Sequence, residues 1–348
     1  MMRDVNTAFL ENLYDQIARK MPVNLENKEA FDEWKNTAIE KLKMILGIPE
    51  LQSLPLEPLV FEQLPLKDGL IRERFILRTE KEVWMPCFLI RDSRKEGKKP
   101  AVVLPPYNGS GKFGVIDSSD YGFFMRANQE KKDFYQSHWN FASSLARAGY
   151  LVVSPDLRGT GERREWMDSG EETFERSSKR PVNNVAIALG QSLLGINVWE
   201  IRCLCDYLES RDDYNGMVSI GGEQEAAVTS LYSSAVTGRF SKCFMINGFN
   251  GFRNGALTVA VNSSATYAPS LMLYFDMCDI AAMACSTELY VQTTPGDLLN
   301  GENDNNVLKQ AEETERAFAL AGAASRFRYN TIEGTMEDAY QNIYAFMK

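Results

Sequence analysis

Short apolar runs recur along this chain, each followed by a helical stretch. AVVLPPY occupies 101–107, YLVVSPD 150–156, MVSIGG 217–222, CFMING 243–248 and LYVQTT 289–294. Apolar runs this short, without polar alternation, fit strands buried on both faces. Between them lie WNFASSLARAG at 139–149, a helical span from about 185 to 210, AAVTSLYSSAV and LKQAEETERAFALAG. FRYNTIEG and EDAYQNIYAFMK add a late strand and a closing helix. Such alternation predicts an α/β fold, with a mostly parallel central sheet and helices on both faces.

The ends of the pattern differ. FDEWKNTAIEKLKMILGI places Phe31, Trp34, Ala38, Leu42 and Ile45 on one apolar stripe, then stops at Gly47 and Pro49. GLIRERFILRT and VWMPCFLIRD, between 69 and 92, read as a hairpin. The expected division is an N-terminal helical extension over 1–60, packed on a body over 61–348. Gly190 and Gly195 fall inside the helical span 185–210 and imply a bend or close packing there. The segment 107–138, rich in Gly, Ser, Asp and aromatics, reads as a loop over a site or a partly helical excursion.

Composition excludes several function classes. The net charge of -9 disfavours a nucleic-acid partner. No apolar run reaches the roughly 18 residues of a membrane span. The acids in MMRDVNTAFLENLYDQ argue against a secretory leader, so a cytoplasmic location is expected. The single histidine, His138, rules out zinc sites built on several histidines, and no metal or cofactor is expected. The six cysteines, none in a C-x-x-C spacing, read as buried free thiols.

One turn carries the chemical question. VSIGGEQEAAVTSLYSS reads as a buried strand, a glycine turn and a small-residue helix, the form of a nucleophile elbow. The motif G-x-S-x-G would span Gly222, Glu223, Gln224, Glu225 and Ala226, which puts Gln224 where a serine hydroxyl belongs. An amide is not a useful nucleophile and no neighbouring base can make it one.

With LARAGYLVVSPDLRGTGER at 145–163, LGQSLLGINVWEIRCLCDYLESRDDYN at 189–215 and YFDMCDIAAM at 274–283, the chain resembles the α/β-hydrolase superfamily. More narrowly, it is similar to acetyl-xylan-esterase-like and dienelactone-hydrolase-like bacterial proteins. That resemblance implies an acid at Asp297 and a histidine position that falls on Met336, a thioether that cannot act as a base. It also implies an oxyanion loop at Tyr107, Asn108 and Gly109. Backbone N–H groups of that loop and of Glu225 would form an anion pocket whatever the triad carries.

Other residues compete for a role. Glu223 and Glu225 are candidate acids or bases, although capping of the following helix is the commoner use of such carboxylates. Asp297 and Glu337 would complete a carboxylate cluster. His138 is read just before a helix, in a structural or surface position, with catalytic use as the alternative. Asp156 and Arg158 read as ties between a strand end and nearby loops, with substrate contact by Arg158 or Arg163 as the alternative, and Cys285 and Ser286 as a packing corner, with a Cys285 nucleophile as the lesser alternative. The leading expectation is a catalytically degenerate hydrolase-like protein that binds a small-molecule ligand or a protein partner, alone or as a homo- or hetero-oligomer. The alternatives are an atypical lyase, isomerase or cyclase using these carboxylates, and a residual carboxylic-ester hydrolase with an unforeseen nucleophile.

Overall fold

The computed structural model describes residues 5–48, 54–116, 129–165, 176–253, 255, 264–294 and 305–348. Its strands are β1 (Leu59–Pro65), β2 (Leu70–Glu80), β3 (Val83–Asp92), β4 (Lys99–Val103), β5 (Leu151–Pro155), β6 (Tyr214–Glu223), β7 (Phe240–Ile246), β8 (Glu288–Thr293) and β9 (Phe327–Thr331). They form one nine-stranded sheet in the order β1-β2-β3-β5-β4-β6-β7-β8-β9. β1, β2 and β3 pair antiparallel, as do β3 and β5. Every pairing from β5 to β9 is parallel.

The longer helices are α1 (Val5–Ile17), α2 (Lys28–Leu46), α3 (Gln129–Ala148), α4 (Lys179–Ala188), α5 (Leu193–Glu209), α6 (Glu225–Thr237), α7 (Met277–Met283), α8 (Asn305–Leu320) and α9 (Met336–Met347). Alternate strand residues send their side chains to opposite faces of the sheet. Val102, Val152, Phe244 and Ile246 pack with Phe141 and Leu145 of α3 and Ile343 of α9. Ala101, Val103, Val153 and Met245 pack on the other face with residues of α2, α5, α6 and α7. Phe31, Trp34, Ala38 and Leu42 of α2 belong to that second core, so the predicted apolar stripe lies against the body.

Three local expectations are corrected. β1 was not foreseen; its residues are almost all exposed, so it carries no buried alternation to read. The span 185–210 is two helices, with α4 ending at Ala188 and α5 starting after the Ser192 N-cap. Close packing holds too: a Cβ on Gly195 would lie 2.0 Å from the carbonyl oxygen of Leu46. The helix expected from 139 begins by Gln129, so His138 sits in the middle of α3 and not ahead of it.

The chain leaves β4 for β5 on one side and returns to β6 on the other. At such a switch the loops beyond the strand C-termini diverge and leave a crevice. Both the loop after β4 and the elbow after β6 open there.

Candidate functional site

The elbow forms where the sequence placed it. β6 ends at Glu223, α6 begins at Glu225, and Gln224 between them has φ 50 and ψ -115. A positive φ is uncommon for a non-glycine residue and marks a tight, strained turn. The turn packs closely, since a Cβ on Gly222 would lie 2.7 Å from the Cβ of Ala226. Gln224 makes no side-chain cap for α6, so the first N–H groups of that helix precede its internal ladder without a cap from Gln224.

Glu223 does not cap α6, the commoner expectation for it. Its carboxylate faces α3, where Oε1 lies 2.8 Å from His138 Nε2. Both side chains are buried. The Tyr340 side chain, from α9, lines the same cavity as that carboxylate, and burial followed by the Glu223 charge pushes its phenol well above its usual range. The His138 ring stands edge-on to Tyr340 with centroids 5.3 Å apart, and near-parallel to Tyr107 at 6.5 Å. His138 is therefore an interior residue paired with a carboxylate, which corrects the reading of it as a surface residue ahead of a helix.

These groups line a cavity of about 30 Å³, with Tyr107, His138, Phe141, Gly222, Glu223 and Tyr340 on its walls. That volume admits a water molecule, and Tyr107, His138, Glu223 and Tyr340 are the polar side chains on otherwise apolar walls. A larger cavity, about 450 Å³, lies at the other end of α6, among Trp199, Arg202, Thr237 and Arg239. It holds no histidine and is remote from the elbow, so size is the poorer guide here.

The loop after β4 is tied down on both sides. Asn108 donates to the Tyr135 hydroxyl at 3.0 Å and accepts from the Ser110 amide at 3.0 Å. The Gly109 carbonyl accepts from the Gly161 amide at 2.9 Å. Lys179 Nζ donates to the Tyr107 carbonyl at 2.6 Å and to Glu225 Oε2 at 2.5 Å. Deeper, Lys112 pairs with Asp156 at 2.6 Å and Glu162 at 2.7 Å. Arg158 and Arg163 both reach Glu200, at 2.7 Å each.

The structure thus brings Glu223, Gln224, Glu225 and Tyr107 to one crevice and adds His138, Tyr340 and Lys179. Met336 opens α9, one turn before Tyr340, and packs against the core beside that helix. Asp297 lies outside the described residues. Cys285 is buried with its thiol pushed up, chiefly by burial, and is no nucleophile. All six cysteines are free and buried. Among the described residues no group of His, Cys, Asp and Glu is placed to hold a metal ion.

No protein-family model and no curated protein sequence matches the chain. Solved structures do. A protein assigned as an acetyl xylan esterase from Bacteroides fragilis superposes with a TM-score of 0.78 at 13% identity, over 96% of this chain and 83% of that one. The fold is that of the α/β-hydrolases. A glucuronoyl esterase from Solibacter usitatus matches with a TM-score of 0.65 at 14% identity, over 92% of this chain and 93% of its own. An acetyl xylan esterase from Paenibacillus sp. R4 matches with 0.52 at 14%, over 97% and 98%.

Identity this low speaks for the fold, and folds host many chemistries. The neighbours are nevertheless ester hydrolases over nearly the whole chain, and the elbow carries a buried acid–base pair. The expectation of a degenerate scaffold that works only by binding is overturned by these matches, and the ester-hydrolase alternative is the one they favour. No described helix is long and apolar enough to cross a membrane.

Proposed function

We propose that the protein hydrolyses carboxylic esters, with water activated by the His138–Glu223 pair in place of an elbow serine. The observation that carries this reading is the buried 2.8 Å contact between His138 Nε2 and Glu223 Oε1, on a water-sized cavity beside the strained elbow. Donation of Nε2–H to the carboxylate, the tautomer the contact implies, puts the basic lone pair of the neutral ring on Nδ1. Glu223 fixes that tautomer and stabilises the imidazolium that forms when His138 takes a proton.

The steps balance without a cofactor. His138 accepts a proton from water as its oxygen bonds to the acyl carbon. The carbonyl π pair moves onto oxygen, which in this reading accepts from the N–H of Glu225 and an N–H of the loop at Tyr107–Asn108. Collapse of the tetrahedral intermediate breaks the bond to the alkoxy oxygen. The imidazolium returns its proton to the leaving alcohol, and the acid product is released as its carboxylate.

The substrate class follows from the neighbours: acyl or uronoyl esters carried by sugars, such as those named for the acetyl xylan and glucuronoyl esterases. The test is a panel of acetylated oligosaccharides, uronate methyl esters and aryl acetates, read by acid release, with ¹⁸O-water to follow the oxygen. Turnover should place ¹⁸O in the carboxylate and fall about 10²- to 10⁴-fold in His138→Gln, the usual range for loss of a general base. Turnover that survives intact in that variant, or none across the panel, would sink the reading.

A further inference from the structure

Lys179 joins two segments that an ester site at this crevice needs held together. It is the first residue of α4 and is 7% exposed. Its ammonium spans the Tyr107 carbonyl, on the loop after β4, and the carboxylate of Glu225, the residue that follows the elbow tip. Those are the same two segments to which the proposed reaction assigns the oxyanion donors.

The position is not one that helix stability selects. A cation at a helix N-terminus opposes the helix dipole, where an acid would be favoured. A buried ammonium also loses hydration, which only close acceptors offset. A medium-sized apolar side chain would fill the space without either cost. The two acceptors explain the lysine, because three donors on a flexible stem can bridge groups from different strands.

We propose that Lys179 is a positioning residue: its clasp on the Tyr107 carbonyl and Glu225 sets the gap between the loop after β4 and the elbow. Pulling on the Tyr107 carbonyl turns that peptide so that its own oxygen stays away from the crevice. Holding Glu225 keeps the carboxylate beside the anion pocket turned aside and neutralised. Both effects act on the transition state more than on the bound ester, because the charge on oxygen appears only there. This consequence rests on the ester-hydrolase reading; the clasp itself does not.

The experiment uses the full chain with Lys179→Met, Lys179→Arg and Glu225→Gln, and two readouts. Amide hydrogen exchange at 107–111 and 225–228 reports the clasp directly. Steady-state kinetics on the best ester of the panel separates kcat from KM. In Lys179→Met, exchange at both segments should speed up at least about tenfold, and kcat should fall about tenfold to a hundredfold with KM little changed, as expected when reacting groups are misplaced by about 1 Å. Lys179→Arg should recover part of kcat, because charge and donors remain. Unchanged exchange in Lys179→Met, or a raised KM with kcat intact, would overturn the proposal. If Lys179→Met does not fold, Glu225→Gln decides: it keeps an acceptor but loses the charge, and wild-type exchange and kcat there would equally overturn it. A wild-type chain that turns over no ester would end the functional reading, while the exchange data would still decide the clasp.

Discussion

Glu223→Gln perturbs the proposed site with the least change in shape. The amide keeps one carbonyl oxygen but loses the charge and one acceptor. His138 Nε2 lies 2.8 Å from Glu223 Oε1, and the Tyr340 phenol feels the same charge. A hydrogen bond to a charged partner contributes about 1.5–3 kcal/mol and a neutral one about 0.5–1.5. The imidazolium formed in the transition state therefore loses about 1–2 kcal/mol of support. At 1.36 kcal/mol per tenfold, that is about fivefold to thirtyfold in kcat/KM. The loss is larger if the amide N–H₂ turns toward His138, because Nε2 would then accept and the basic nitrogen would change place; a wrong tautomer costs up to about 10⁴. The assay is initial rates of ester hydrolysis, with thermal melts to confirm folding. A folded variant within twofold of wild type would refute the role of the pair.

Three further outcomes are expected. Gly195→Ala should destabilise by about 2 kcal/mol or more, because the added Cβ meets a backbone oxygen at 2.0 Å and overpacking cannot relax there; the urea midpoint measures it. Lys112→Met leaves Asp156 and Glu162 without their buried cation and should cost about 3–5 kcal/mol in the same assay, partly recovered by adding Asp156→Asn. A fluorophosphonate serine-hydrolase probe should leave the wild-type chain unlabelled by intact mass, since Gln224 occupies the elbow; stoichiometric labelling of one serine would replace the water route with an acyl-enzyme.

The sheet was legible because its inner strands are buried on both faces. AVVL and YLVV carry their whole signal in four residues, and the observed β4 and β5 take in 101–103 and 151–153 of them. Other elements gave weaker signals. LVFEQLP forms an exposed edge strand, so no buried face imposes alternation on it. The break between α4 and α5 falls at Leu189–Ser192, where Gly190 marked a bend but the apolar periodicity on either side still reads as one helix. The start of α3 was missed because QEKKDFYQ is polar and aromatic and carries no apolar stripe of helical period.

The site was half legible. Glycine and small residues at fixed spacing announced the elbow, because Gly222 and Ala226 must approach within a methyl of one another. The partner of Glu223 carried no such signal. His138 lies 85 residues away, and no spacing rule links mid-helix α3 to the end of β6. Its one clue was being the sole histidine of the chain. Tyr340 and Lys179 were invisible for the same reason: their roles exist only once three elements meet.

The backbone at Gln224 is the strongest argument that this crevice is used. Its φ of 50 and ψ of -115 hold a non-glycine residue in strained space, at a cost of about 1–3 kcal/mol. Glycine at the tip would relieve that strain and keep the turn. The sharp turn also sends its flanking residues to different partners, Glu223 to His138 and Glu225 to Lys179. A gentler connection from β6 to α6 would point the two carboxylates along one face and bring like charges together. In the proposed reaction the elbow separates a carboxylate that works with a base from one that steadies the loop, and relaxing the turn would trade that separation for stability.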